Sequence, residues 1–478
     1  MNFLKASIFF VITKYLVIII NFFRSIIVVS SLGPSTLGEY AILIIILEYF
    51  YYTNLGIYFS MTKEISINLD KADKHKYIKK IINNTISFQF INSFLLFVLF
   101  SSFLAFEYFE FFKIQIFNTN YLIYILILGI IYQAKSFIFS YLRIYERINE
   151  IVKIEFFSSL FVFIGIYFFV DDFGIDAIFI VSIIGNLLLL ISYLGKLSNF
   201  KFFFEIKIIR ILIYVGVPLL LFNLLSLMIT TIDRIMINQL VSSNREVLGI
   251  YHTGYLLSFG VMTAFNSVIF LLVPKILKQF YSSEKISSLM INQTRLTEFI
   301  LVTTVVISIN IISPFIEVFL EDYKMSILVM QLLLLAYFMK GLAFLPESYL
   351  IANNRQMQTL PIFFISLLNA FLLNYLSIKL GYGIYGVAIS TIATFYIYML
   401  GIFSLYFYYE EDNFYKSSLM ILLRPTFFIF ISIILIYENK SLFWLFLIYL
   451  ILYSSGLYIY LKKVIILYKK FISSNQAL

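Results

Sequence analysis

Leu37-Gly38-Glu39-Tyr40 and Leu248-Gly249-Ile250-Tyr251 stand 211 residues apart, and each follows an arginine, Arg24 and Arg234, themselves 210 apart. Ser140-Tyr141-Leu142 precedes Arg147 just as Ser348-Tyr349-Leu350 precedes Arg355, at an offset of 208. Gly174-Ile175 recurs as Gly383-Ile384 at 209. Each match alone is commonplace. Four matches in one order, at nearly one offset, identify an internal duplication.

The material filling the two copies is too apolar for water. Of 478 residues, 62% are hydrophobic and 13% are charged, against about one quarter charged in soluble domains. Crossing the hydrocarbon takes roughly 20 mainly apolar residues. Segments of that kind lie near 8–30, 39–61, 82–106, 120–142, 152–170, 175–195, 208–240, 247–272, 296–320, 325–350, 360–380, 384–408, 419–437 and 441–462. The stretch Ile8–Ser30 is longer than a signal-peptide core and lacks a small-residue cleavage site, so it reads as the first span. The expected fold is therefore all-α and polytopic, with about fourteen transmembrane helices. Residues 1–205 and 206–410 form two six-helix lobes, and 411–478 add two further helices and a tail.

Charge orients the spans. With the N-terminus inside, the inside segments hold 25 basic residues, among them Lys71, Lys74, Lys76, Lys79 and Lys80. The outside loops hold five, Lys113, Arg245, Lys324, Lys379 and Lys440, beside acids such as Glu107, Glu110, Asp171, Asp172, Glu321 and Asp322. This is the positive-inside bias, with both termini cytoplasmic. Helices one and seven start on the same side, so the repeat is parallel, an architecture of transporters in which substrate sits between the lobes.

Other function classes fall away on composition. With no cysteine, disulfides, thiolate metal sites and cysteine nucleophiles are excluded. The two histidines, His75 and His252, stand too far apart in sequence to suggest a metal site or a triad. The net charge of +9 is a topology signal, because nucleic-acid binding would need a continuous basic face. A membrane polysaccharide polymerase or glycosyltransferase would carry a long external loop with catalytic carboxylates or arginines, whereas the longest outside loop here is about a dozen residues.

The residues Phe23-Arg24-Ser25 and Leu32-Gly33-Pro34-Ser35-Thr36-Leu37-Gly38-Glu39-Tyr40 resemble the opening helix and first loop of the multidrug/oligosaccharidyl-lipid/polysaccharide exporter superfamily, in particular its O-antigen-type polysaccharide repeat-unit flippases. Asn54-Leu55-Gly56-Ile57 resembles that family's Asp-Leu-Gly segment, with Asn replacing Asp. Pro218, Asp233-Arg234 and Gly249-Ile250-Tyr251 match its seventh-helix pattern. Leu350-Ile351-Ala352-Asn353-Asn354-Arg355, Asn369, Asn374-Tyr375 and Gly381-Tyr382-Gly383-Ile384-Tyr385-Gly386-Val387-Ala388 resemble its second-lobe core. The likeness spans about residues 7–408, and it separates polysaccharide, teichoic-acid and peptidoglycan-precursor flippases poorly. It implies a bacterial inner-membrane protein of polysaccharide or lipopolysaccharide biosynthesis. Such a protein moves an undecaprenyl-diphosphate-linked oligosaccharide outward, in the company of membrane lipids, polymerase and chain-length machinery.

Ionisable residues inside the spans carry the chemistry. We count Lys14, Arg24, Lys135, Arg234 and Lys340 against Glu48 and Asp233, a surplus of three positive charges. A charge at the bilayer centre costs about 2.5–3.5 kcal/mol by insertion scales, so these groups should face a wet cavity or a partner. A cavity of that sign suits a lipid diphosphate, with arginine forking onto phosphate oxygens and lysine offering a point charge. Arg24, Lys135, Arg234 and Lys340 are the expected substrate-binding set. Glu48 and Asp233 are counter-ions or sites of H+ or Na+ coupling, with no resident cofactor or metal. Alternatives stand beside each: Arg24 and Lys14 could snorkel, and Arg234 could serve Asp233 or a buried carbonyl. Asn54, Asn223, Asn369 and Asn374 suit either sugar hydroxyls or interhelical hydrogen bonds. The many aromatics read mostly as lipid-facing or interfacial belts, not as a sugar platform. A cation-coupled drug exporter of the same superfamily is the rival transporter, and would be expected to have an acidic cavity.

Overall fold

The computed structural model describes residues 3–68, 74–108, 119–145, 147–194, 201–241, 245–281, 286–353, 355–410 and 414–438. All regular structure among them is helical. The helices are α1 (Phe3–Phe50), α2 (Ile57–Asn68), α3 (His75–Tyr108), α4 (Thr119–Ile144), α5 (Ile148–Leu194) and α6 (Ile206–Leu240). They continue with α7 (Arg245–Tyr281), α8 (Ile286–Phe319), α9 (Ser326–Ala352), α10 (Gln356–Lys379), α11 (Gly383–Glu410) and α12 (Phe414–Tyr437). Among the described residues, ten helices are long and apolar enough to cross a membrane.

Two of the ten each hold two spans. The 48 residues of α1 would reach about 70 Å as one rod, more than twice the ~30 Å hydrocarbon. The helix is interrupted at Gly33 (φ 67°, ψ 161°), and Pro34 opens the second arm. Arg24 and Glu48 line the same cavity, though a straight helix would hold them about 36 Å apart, so the arms fold back on each other. In α5 the break is Gly174 (φ 56°, ψ −129°). Both breaks require a left-handed φ that glycine alone adopts freely. Counting each arm, and the apolar Leu423–Tyr437 stretch of α12, the described residues account for thirteen of the fourteen expected spans. The last, 441–462, lies outside them.

One span needs correcting. The expected helix at 39–61 stops at Phe50, passes through a 3-10 turn (Tyr51–Asn54), and turns at left-handed Leu55 (φ 53°) and Gly56 (φ 74°) before α2 begins. Apolar content does not register such a break, because hydropathy counts side chains and the break is in the backbone.

The duplication is legible atom by atom. Arg147 donates its backbone N–H to Leu142 O at 2.8 Å, and Arg355 does the same to Leu350 O at 2.8 Å. Glu150 N–H meets Arg147 O at 3.0 Å, and Gln358 N–H meets Arg355 O at 3.1 Å. Gly174 and Gly383, paired by sequence, have φ of 56° and 55°. The repeated letters thus encode repeated turns.

A single apolar core joins the halves, running from Val28, Val29 and Leu43 through Leu248, Tyr251 and Leu301 to Leu335 and Phe403, each nearly or fully buried. A second cluster unites Ile57, Met61, Phe137 and Ile151 with Ile208 and Leu212 of α6. The opposite surface is apolar as well, with Phe90, Phe94, Phe168, Ile311, Val318 and Phe319 exposed, which suits a lipid solvent.

Candidate functional site

The two copies of the Leu-Gly-x-Tyr stretch meet at one point. A Cβ on Gly38 would lie 1.9 Å from Arg245 O, and one on Gly249 would lie 1.8 Å from Pro34 O. Each contact is the other displaced by the repeat offset, so α1 and α7 cross on the pseudo-twofold axis with backbone against backbone. Beside this crossing Arg245 Nη1 reaches Glu39 Oε1 at 2.7 Å. A second reciprocal crossing joins the halves further along: a Cβ on Gly56 would stand 2.4 Å from Gly216 O, and one on Gly216 would stand 2.5 Å from Gly56 O.

Between these crossings, along the interface, lies a cavity of about 480 Å³. Its walls come from both halves: Arg24, Tyr40, Glu48, Tyr51 and Tyr52 from α1 and the turn after it, Tyr132 from α4, Leu227 from α6, and His252 and Leu256 from α7. Four tyrosines stand here, among aromatics that otherwise read mostly as lipid-facing or interfacial belts. Nothing in residue type separates a lipid-facing tyrosine from one on the inner stripe.

Arg24 is half-buried on the cavity wall, and no carboxylate lies within ion-pair distance of it among the described residues. Glu48 shares the cavity and is within electrostatic reach of Arg234. Arg234 itself is fully buried and packs behind the wall. Its guanidinium lies 3.6 Å from the Tyr255 ring centroid, and Nη2 donates to Thr230 O at 2.9 Å. Nε stands 3.7 Å from Asp233 Oδ1. The adjacency of Asp233 and Arg234 suggests separate partners, but they share a site: Asp233 Oδ1 accepts Arg234 N–H at 2.7 Å, and Oδ2 accepts the Tyr251 hydroxyl at 2.7 Å.

The lysines lie away from the cavity wall. Lys135 donates to Asn186 Oδ1 at 2.8 Å and stands over the Phe139 ring. Lys340 stands 5.3 Å from the Phe395 centroid, about two turns along the same face of α9 from Glu347. Lys14 pairs with Glu155 across α1 and α5. Glu155, Glu298 and Glu347 also fall inside spans, so the sequence count of two acids is short by at least three. Glu298 is buried.

The asparagines divide. Asn54 is structural: Nδ2 donates to Tyr51 O at 2.7 Å and Oδ1 accepts Gly56 N–H at 2.8 Å, holding the break in place. Asn223 Nδ2 donates within its own helix to Leu219 O at 2.7 Å. Asn369 Nδ2 reaches Thr394 Oγ1 of α11 at 3.2 Å, while the buried Asn374 Oδ1 has no hydrogen-bond partner among the described residues. Replacing Asn54 by alanine removes both hydrogen bonds that frame the break and is expected to cost about 1–2 kcal/mol. A lowered thermal unfolding midpoint in detergent would show it, and an unchanged midpoint would refute the assignment.

Sequence reasoning missed Gln133 and His252. Gln133 is fully buried and donates to Phe50 O at 3.1 Å and Thr53 Oγ1 at 2.5 Å. Its own Oε1 accepts from Gln89 at 2.9 Å and Asn92 at 3.2 Å. It thereby satisfies the carbonyl freed where α1 stops. Three amides inside apolar spans were the available signal.

Two repeated halves thus enclose an interfacial cavity in an apolar helical bundle. No protein-family model matches the chain, and no curated protein resembles it significantly in sequence. Solved structures do resemble it. A lipid II flippase, MurJ, in an inward closed conformation superposes with a TM-score of 0.68 at 16% identity, over 94% of this chain and 100% of that one. An inward-facing multidrug resistance MATE family transporter of the MOP superfamily gives 0.63 at 11% identity, over 86% and 94%. The Vibrio cholerae MATE transporter VcmN, in a point-mutant form, gives 0.60 at 17%, over 85% and 95%. The chain shares its fold with these three proteins.

Proposed function

We propose that this protein is a flippase that carries a lipid-linked, diphosphate-bearing saccharide across the cytoplasmic membrane by alternating access. The halves 1–205 and 206–410 act as the rocking lobes, the termini lie in the cytoplasm, and the Gly38–Gly249 crossing faces outward. The observation that carries the reading is the interfacial cavity itself, in which Arg24 has no ion-pair partner among the described residues and shares the wall with four tyrosines. An arginine held in this way offers a fork to phosphate oxygens, while phenol hydroxyls and ring faces suit a sugar. Lys135, Arg234 and Lys340 would serve the same substrate in other states of the cycle. The fold shared with a lipid II flippase supports this reading. The substrate we favour is an undecaprenyl-diphosphate-linked oligosaccharide of surface polysaccharide assembly, with polymerase and chain-length machinery downstream.

The second reading, a drug exporter coupled to H+ or Na+, is favoured by one observation: Glu48 lines the cavity and could accept a cationic drug. Reconstitution into liposomes containing a fluorescent undecaprenyl-diphosphate oligosaccharide separates the two. Flipping by the parent chain, lowered at least tenfold by Arg24→Ala, is the expected result. Efflux of organic cations without lipid flipping, abolished by Glu48→Gln, would replace the flippase with the exporter.

A further inference from the structure

His252 is a polar group in the cavity that the protein leaves unpaired. It is 1% exposed, it lines the cavity, and neither Nδ1 nor Nε2 has a hydrogen-bond partner among the described residues. A neutral imidazole carries one donor and one acceptor, and a buried polar atom without a partner calls for an explanation. Its position is fixed despite this. The ring stacks on Tyr255 at 5.6 Å and 20°, Tyr255 stacks on Phe259 at 5.3 Å and 15°, and the Arg234 guanidinium lies 3.6 Å from the centroid of the middle ring. His252, Tyr255 and Phe259 thus form one stack along α7 that orients the imidazole from its Tyr255 side, with its edge nitrogens unused.

We propose that His252 is a ligand contact, donating a hydrogen bond to an anionic oxygen of a diphosphate headgroup that Arg24 holds from the opposite half. The inference rests on the flippase reading and adds to it a recognition residue from the C-terminal half. His252 and Arg24 line the same cavity but belong to α7 and α1, so one headgroup held by both ties the halves together. Glu48 does not repel such a ligand outright, because it stands within reach of Arg234, and its oxygens can accept sugar hydroxyls. A preorganised ring binds without the entropic cost of being ordered, which is what the stack on Tyr255 supplies. Hydrogen bonds to charged groups contribute enough that losing one is expected to weaken binding roughly tenfold to a hundredfold.

The test uses the scarcity of histidine. The chain has two, and His75 is exposed at the start of α3, so full-length His75→Asn in lipid nanodiscs gives a single imidazole NMR signal, that of His252. Undecaprenyl diphosphate is added to the bilayer in one arm and inorganic diphosphate to the solution in another, with thermal stabilisation reporting binding independently. A saturable shift of the His252 signal is expected in the lipid arm. A shift in the inorganic arm as well places recognition on the bare anion, and its absence places it on the lipid-borne one. Either pattern supports the contact. Arg24→Gln should raise the half-saturating concentration at least tenfold, and His252→Phe, which keeps the stack, should do the same by thermal stabilisation. Lipid binding that stabilises the parent chain while the His252 signal stays still overturns the proposal and leaves the flippase reading standing. Absence of lipid binding to the parent chain overturns both.

Discussion

Asp233→Ala is expected to destabilise the protein by about 3–5 kcal/mol, the penalty for removing one member of a buried ion pair. The residue left behind decides the size. Arg234 has no exposed surface, its Nε and Nη1 make no hydrogen bond among the described residues, and arginine does not give up its proton. With Asp233 gone, Tyr251 also loses the acceptor of its 2.7 Å hydrogen bond, and the Arg234 N–H loses its 2.7 Å capping oxygen. Glu48 remains as a more distant carboxylate from the other half. The double variant Asp233→Asn/Arg234→Met should recover most of the loss, since an apolar group of similar volume removes the uncompensated charge. Thermal unfolding of the purified chain in detergent measures both. Asp233→Ala and the double variant unfolding at the same temperature would show that Arg234 does not depend on its neighbour. The same experiment locates function, because lipid-diphosphate binding unchanged in the double variant would make Arg234 a structural cation and remove it from the substrate-binding set.

The fold was legible in the sequence because a membrane imposes coarse, additive rules. Span length and the repeated Leu-Gly-x-Tyr letters each survive averaging over many residues, and they converge on the observed bundle. The repeat does more than mark a duplication, since Gly38 and Gly249 are contact partners as well as counterparts. The site was harder to read. Arg24 and Glu48 at similar depth follow from counting along helices, and both do line the cavity. Which acids neutralise which bases does not follow, because Glu155 and Glu347 sit in spans whose rotation about their own axes the sequence leaves open. His252 escapes notice because a lone histidine suggests nothing until both its nitrogens are seen without partners. The break at residues 51–56 is hidden for a different reason. It is held by Asn54 and by Gln133, some 80 residues away, a long-range contact that local periodicity cannot carry.

Gly249→Ala is expected to part the two halves at their symmetric crossing and to lower transport more than tenfold. The added methyl would sit 1.8 Å from Pro34 O and 3.0 Å from Gly38 N. Both neighbours are backbone, and backbone cannot rotate aside as a side chain does, so the helices themselves must separate by about 1 Å or more. Interiors packed at crystal density transmit such a shift without absorbing it. Gly38→Ala meets the reciprocal contact at 1.9 Å from Arg245 O and should match it, as the pseudo-symmetry requires. Gly260→Ala, whose methyl meets only the Phe22 ring at 3.3 Å, serves as the tolerated control. The absence of cysteine makes the readout clean: Glu39→Cys and Arg245→Cys, on backbones that meet where Gly38 abuts Arg245 O, should form a disulfide in the parent background and fail to form one with Gly249→Ala. The second crossing supplies an internal comparison. Gly56 and Gly216 meet nearly equal overlaps, 2.4 and 2.5 Å, but only Gly56 has a positive φ. Gly56→Ala should therefore exceed Gly216→Ala by the left-handed penalty of roughly 1–2 kcal/mol, and alanine within α6 returns about 0.5–1 kcal/mol of helix propensity. Equal unfolding temperatures for these two variants, or efficient 39–245 cross-linking in Gly249→Ala, would show that the crossings are incidental to how the halves meet.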